Sequence, residues 1–188
     1  MSQSAQFNVE RLDGTAAAKA EDAFRLVYAE AFAEPPYGET EADVAVAFRR
    51  FRSQARNSTF AGALATTVDG EPVGMAYGIR LGPQAVWWDQ LTEPVPEDMR
   101  REDGRRTFGL MELAVRAAWR RQGLAHRLHD ALIGTTDAER ALLNVHPDNK
   151  AAVAAYRAWG YQKVGDAHPW PGAPLHYVML LADKPQGA

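Results

Sequence analysis

Cysteine is absent from all 188 residues of the chain. Disulfides, thiolate metal sites and cysteine nucleophiles are excluded together. No run of about 18 apolar residues occurs, so no membrane-spanning helix and no membrane partner are expected. Charge of one sign is also missing: 21 Lys and Arg stand against 24 Asp and Glu, for a net charge of -3. Such a chain has no large basic excess with which to displace counterions, so a nucleic-acid partner held by charge is not expected. Arg100, Arg101, Arg105 and Arg106 do cluster, but Glu102 and Asp103 interleave them. The opening MSQSAQFNVERLDG has no basic stretch followed by an apolar run, so no secretory signal is expected and a cytoplasmic protein is the default.

What is present is the composition of an ordinary globular protein, 46% hydrophobic and 24% charged. The length suits a single domain, 1–188, with a core of useful size. Residues 6–12 alternate apolar and polar, which predicts a first strand. Ala16, Ala20, Phe24, Val27, Tyr28 and Ala31 recur at helical spacing and predict one amphipathic helix over 15–32, stopped by Pro35, Pro36 and Gly38. Thr40 and Asp43 form a capping spacing for a second helix reaching about Arg56. Residues 60–68 and 71–81 read as strands joined at Asp69-Gly70, a good hairpin signal. Residues 82–106, with Pro83, Pro94 and Pro96, read as an irregular, partly helical surface insertion.

Beyond it the pattern predicts a strand at 107–115, a helix at 120–133, a strand at 140–145 and a helix at 148–159. Strands at 161–164 and 175–181 follow, with a loose tail at 184–188. Strands and helices in the order βααββ, then βαβαββ, predict a mixed α/β (α+β) sheet of six or seven strands with helices on both faces.

Two segments carry chemistry. In the first, Glu112-Leu113-Ala114-Val115 leads through Arg116-Ala117-Ala118-Trp119 into Arg120-Arg121-Gln122-Gly123-Leu124-Ala125-His126. A helix N-terminus offers unpaired N–H groups and a partial positive charge, which suit a phosphate or pyrophosphate. Gly123 permits close backbone approach, Ala125 is nearly as small, and Arg120 and Arg121 add positive potential. On local grounds the alternative is a plain helix start with solvated arginines. In the second segment, Asn149 and Tyr156 stand seven residues apart on one helix face. Asp148 is placed to cap that helix. A tyrosine on a helix is by itself more often core packing than chemistry.

The spacing Arg120-x-x-Gly123-x-Ala125 after a strand resembles the coenzyme A-binding motif of the GNAT N-acetyltransferases. Asn149, Ala152, Tyr156, Gly160 and Tyr161 resemble the family's second motif residue for residue. The pair spans residues 113–161 in the family's order. This resemblance implies a GNAT-like fold whose strands 107–115 and 140–145 diverge at their C-terminal ends. It implies acetyl-coenzyme A as cofactor, with Leu113, Ala114 and Val115 holding the pantetheine. Arg120, Arg121, Gln122, Gly123, Leu124, Ala125 and His126 would serve the pyrophosphate, with Asn149 and Tyr156 completing the set.

The implied reaction is acyl transfer to a primary amine by direct attack in a ternary complex, with no metal ion. Tyr156 is the candidate general acid for the departing thiolate. Glu112 is the candidate base, because a carboxylate amid Leu110, Met111, Leu113 and Ala114 is costly unless paired or functional. A structural ion pair or an exposed strand end would also account for it. His146 is a second candidate base, and ordered water a third route.

For the acceptor, Tyr37, Trp87 and Trp88 beside Asp89 suit an ammonium or planar amine, though both tryptophans would equally cover a sheet edge. A small-molecule amine is the leading substrate, a protein acceptor the neighbouring reading, and a non-catalytic acyl-coenzyme A sensor the alternative from another class. A homodimer is also open.

Overall fold

The structure is a computed structural model that describes residues 7–182. Gln6 at the start of the expected first strand, and the expected tail at 184–188, lie outside the described residues. The strands are β1 (Phe7–Leu12), β2 (Ala61–Thr67), β3 (Pro72–Arg80), β4 (Thr107–Val115), β5 (Arg140–Val145), β6 (Gln162–Ala167) and β7 (His176–Leu181). The helices are α1 (Gly14–Lys19), α2 (Glu21–Phe32), α3 (Glu41–Ala55), α4 (Glu97–Arg100), α5 (Leu124–Ile133) and α6 (Lys150–Ala158). The seven strands form one mixed sheet in the order β1-β2-β3-β4-β5-β7-β6, the expected fold class. β4 and β5 run parallel and pair only through Thr107–Gly109 and Arg140–Leu142, so they are not paired along their length.

Most boundaries follow from local chemistry. Thr40 and Asp43 form a full capping box at the start of α3. Gly70 turns the β2–β3 hairpin at φ 85, where an L side chain would be strained. Four boundaries differ most from expectation. The helix over 15–32 is two helices, because Ala20 leaves helical geometry at φ -96, ψ 16, while the apolar spacing runs on through the break. The helix expected from 120 begins at Leu124, because Arg121 and Gly123 adopt φ 61 and 75. The cap of α6 is Asn149 rather than Asp148: its Oδ1 accepts from Ala152 N at 3.1 Å, while the Asp148 N–H donates to His146 Nδ1. β6 also runs past the expected 164, helped by a register shift at Lys163/Gly165.

The described residues fall into two compact units, one within Met1–Ile79 and Met111–Thr135, the other within Arg80–Leu110 and Thr136–Ala188. In the first, Phe24, Val27, Tyr28, Phe48, Phe51, Met75 and Tyr77 form a dense, largely aromatic core. Gly74 on β3 admits α5 closely: a Cβ there would sit 2.9 Å from Leu128 Cδ1.

In the second unit the stretch 82–106 is tied down rather than merely laid on the surface. Glu102 Oε1 accepts from Trp88 Nε1, Thr107 Oγ1 and Arg140 Nη2 at 2.8, 2.8 and 3.0 Å. Arg140 also donates to Thr107 Oγ1 and the Met99 carbonyl and lies 5.2 Å from the Trp88 ring centroid. These bonds help a buried ion pair keep its charge, although Glu102 Oε2 is left without a partner.

Candidate functional site

The turn between β4 and α5 is built to expose main-chain donors. Arg116, just past β4, is clamped by Glu30 and Glu71 at 2.7 and 2.6 Å and donates its own N–H to the Val73 carbonyl. Ala117–Trp119 form a short 3₁₀ turn. Arg120 then folds back, its Nε donating to the Val115 carbonyl at 2.8 Å and its Nη1 to Glu34 at 2.7 Å. That side chain therefore fixes the loop, and Glu34 offsets its charge. Arg121 is exposed and held at φ 61, a conformation costing an L residue about 1 kcal/mol or more.

Gly123 is the N-cap of α5, with no side-chain cap and no acidic residue in the first turn. The first bond into the helix runs from Arg127 N to the Gly123 carbonyl, which leaves the amides of Leu124, Ala125 and His126 at its open end. A Cβ on Gly123 would meet no atom within 4 Å, so the space before these amides is clear. Open space, the amides of the first helical turn, the positive end of a helix dipole and the Arg121 charge together fit a pyrophosphate.

β4 itself is buried from Thr107 to Leu110, opens at Met111, Glu112 and Leu113, and closes again at Ala114 and Val115. Glu112 keeps some accessible surface, yet protein encloses its carboxyl, and no described residue hydrogen-bonds to it. Enclosure pushes its pKa up to about 8; Arg50 opposes the shift and Glu39 adds to it. Around it stand Tyr28 and Tyr77, whose hydroxyls are pushed far up by burial and by the Glu112 charge, so both remain protonated.

Tyr28 donates to Glu39 Oε1 at 2.9 Å. Glu39 is placed by its own N–H, which donates to the Phe32 carbonyl at 2.8 Å. Its carboxyl is also raised, mainly by burial, and its Oε2 is buried without a partner. The turn before it carries the cis Pro35-Pro36 bond and Tyr37, whose ring lies 4.7 Å from Phe32. Sequence reasoning singled out Glu112 and Tyr37 here and missed Glu39, Tyr28, Tyr77 and Arg50 as its surroundings.

The remaining candidates lie in the second unit. Tyr156 on α6 is buried, with Trp159 and Tyr161 edge-on at 5.5 and 5.6 Å. Asn149 caps its helix, so its side-chain oxygen is engaged with the backbone. Trp87 donates to Asn144 Oδ1 on β5 at 2.8 Å and stays partly exposed. Trp88, by contrast, is 4% exposed and engaged with Glu102 and Arg140. His146 accepts from the Asp148 N–H and meets His176 edge-on at 5.3 Å. Among the described residues no group of His, Asp and Glu is arranged to hold a metal ion, and no helix is long and apolar enough to cross a membrane.

The sequence model of the Acetyltransferase (GNAT) family matches residues 22–161. No curated protein matches. Among solved structures, the ribosomal-protein-S18-alanine N-acetyltransferase from Escherichia coli is 19% identical, with 97% of each chain covered and a TM-score of 0.61. PaiA N-acetyltransferase from Thermoplasma acidophilum, in complex with coenzyme A, is 11% identical, covering 96% of this chain and 99% of that one at a TM-score of 0.62. Arabidopsis thaliana Naa50, in complex with the bisubstrate analogue CoA-Ac-MVNAL, is 14% identical, covering 93% and 97% at 0.57.

Proposed function

Since the chain belongs to the GNAT acetyltransferase family and draws its acyl group from acetyl-coenzyme A, we propose that it acetylates the primary amine of a small molecule by direct attack in a ternary complex. The observation that carries this reading is Glu112: enclosed, unpartnered, with a pKa pushed up to about 8, and immediately preceding Leu113 on the same strand. Such a carboxylate, once ionised near or above that pH, is basic enough to take the proton that an ammonium must lose before its nitrogen attacks.

Acetyl-coenzyme A supplies an activated acetyl group as a thioester. The amides of Leu124, Ala125 and His126, with Gln122, Gly123 and Arg121, hold its pyrophosphate. Leu113, Ala114 and Val115 line its arm through their backbone, and an N–H there polarises the carbonyl. Glu112 would take the ammonium's proton before attack. As the nitrogen–carbon bond forms and the carbon–sulfur bond breaks, the Tyr156 hydroxyl would protonate the leaving sulfur, and the second proton released by the nitrogen would restore that hydroxyl. Arg120 shapes the turn, Asn149 fixes the helix that carries Tyr156, and Tyr37 and Trp87 are acceptor contacts. The matched stretch 22–161 runs through both units, which supports one acetyltransferase domain as the working entity.

The test is release of free thiol from acetyl-coenzyme A across a panel of small primary amines and short peptides. Turnover with small amines supports the reading. Turnover confined to peptides makes the chain a protein acetyltransferase, and none with either makes it a binding protein.

A further inference from the structure

The surroundings of Glu112 say more about the acceptor than that it is an amine. Two carboxylates, Glu39 and Glu112, share one neighbourhood in which Arg50 is the countercharge acting on both, while Asp43 adds a further negative charge toward Glu39. Negative groups therefore outnumber positive ones beside Glu39. Neither carboxylate is saturated: Glu39 Oε2 is buried without a partner, and no described residue donates to Glu112. A buried carboxylate oxygen without a donor is unfavourable, and a ligand ammonium is a group able to supply the missing donor to Glu39 Oε2.

The other oxygen of Glu39 is held at 2.9 Å by Tyr28, a phenol that stays protonated and can only donate. The free oxygen is thereby aimed rather than swinging. Beside it the rings of Tyr28, Phe32 and Tyr37 follow one another at 4.3 and 4.7 Å. Tyr28 is buried, but Phe32 and Tyr37 stay partly exposed, and their rings suit a hydrocarbon spacer or an ammonium.

Resting on the acetyltransferase reading, we propose that the acceptor carries a second, protonated nitrogen, and that Glu39, oriented by Tyr28, is the residue that selects it. The class is an alkyl diamine or a longer polyamine. One nitrogen loses its proton to Glu112 and attacks, while the other stays charged against Glu39. A monoamine of equal length leaves the Glu39 oxygen without a donor and the excess charge uncompensated.

Two measurements test this. In the first, 1,4-diaminobutane and n-pentylamine are titrated calorimetrically into the protein saturated with coenzyme A. The diamine should bind at least about tenfold more tightly, and Glu39→Gln should reduce that preference by tenfold or more. The amide oxygen still accepts from Tyr28, so the turn should keep its shape. If this variant does not fold, Tyr28→Phe, which frees the carboxylate to swing, should reduce the preference in the same direction. In the second, kcat/KM is measured for both amines, and the ratio should fall in parallel.

Equal binding of the two amines by the native protein, or a preference that survives Glu39→Gln, overturns the proposal. The titration needs no turnover. Tight diamine binding without thiol release therefore refutes the acetyltransferase reading and not this site, whereas turnover of monoamines and diamines alike refutes this site and not that reading.

Discussion

Replacing Gly123 with valine should abolish coenzyme A binding while leaving the protein folded, and the structure lets the two effects be separated. Gly123 sits at φ 75, and a Cβ added there meets no protein atom within 4 Å. The cost to the free protein is therefore backbone strain alone, about 1–2 kcal/mol for an L residue in the left-handed region. The cost to binding is larger, because the new side chain takes the space before the amides of Leu124, Ala125 and His126. Charge-assisted hydrogen bonds are worth about 1.5–3 kcal/mol each. Loss of one or two of them weakens affinity by roughly tenfold to ten-thousandfold.

Gly70 provides the control: it lies at φ 85 with nothing within 4 Å, but in the β2–β3 turn. Gly70→Val should lose similar stability and no affinity. Calorimetric titration of coenzyme A, with thermal melts of all three proteins, reads both quantities. If folded Gly123→Val binds within about threefold of the native protein, the pyrophosphate site is wrongly placed. If Gly70→Val loses affinity equally, the effect is strain and not the site.

Glu112 gives a prediction for pH. Its carboxyl is held up to about 8 against an ordinary 4.5, by enclosure and by Glu39, with Arg50 opposing. As the base it must be ionised, so kcat/KM should climb with pH to about 8 and then level, and Glu112→Gln should remove that limb and lower the plateau by roughly 10² or more. For stability, the folded form binds this proton more tightly than the unfolded chain. The contribution is therefore fully present below about 4.5, is lost as pH rises to about 8, and is level above. Glu112→Gln should accordingly gain stability relative to the native protein across that window, measured by urea unfolding at both ends. Tyr156→Phe keeps the ring and its contacts with Trp159 and Tyr161. It should lower kcat at least about tenfold while changing coenzyme A affinity by less than about 1 kcal/mol; steady-state kinetics paired with a binding titration reads both.

Features legible in the sequence are those decided within a few residues. The Thr40–Asp43 cap, the Asp69-Gly70 hairpin, the strands at 107–115 and 140–145, and the Arg120-x-x-Gly123-x-Ala125 spacing all belong to this kind. Boundaries decided by a single dihedral were not legible: Ala20 breaks a helix that its apolar period runs straight through. Asp148 and Asn149 are both good caps by residue type, and only the backbone path shows that the Asn149 oxygen is the one that reaches the Ala152 N–H. The surroundings of Glu112 were hidden for another reason. Tyr28 looks like a core residue of α2, Glu39 like a loop acid, and Arg50 like a solvated residue of α3. Only the fold brings their charges to bear on one carboxyl. Trp88 shows the converse, since its place beside Asp89 suggested a ligand contact, yet its indole is engaged with Glu102 and Arg140 from distant positions.

The central claim is that this chain moves an acetyl group directly from acetyl-coenzyme A to an amine. Initial velocities over a grid of both substrate concentrations, with 1,4-diaminobutane as acceptor, test it most directly. Direct transfer predicts double-reciprocal lines that intersect, and one free thiol for each acetylated amine found by mass spectrometry. Parallel lines with an acetylated protein would contradict the ternary-complex route. Bound acetyl-coenzyme A that releases no thiol with any amine would contradict the claim itself.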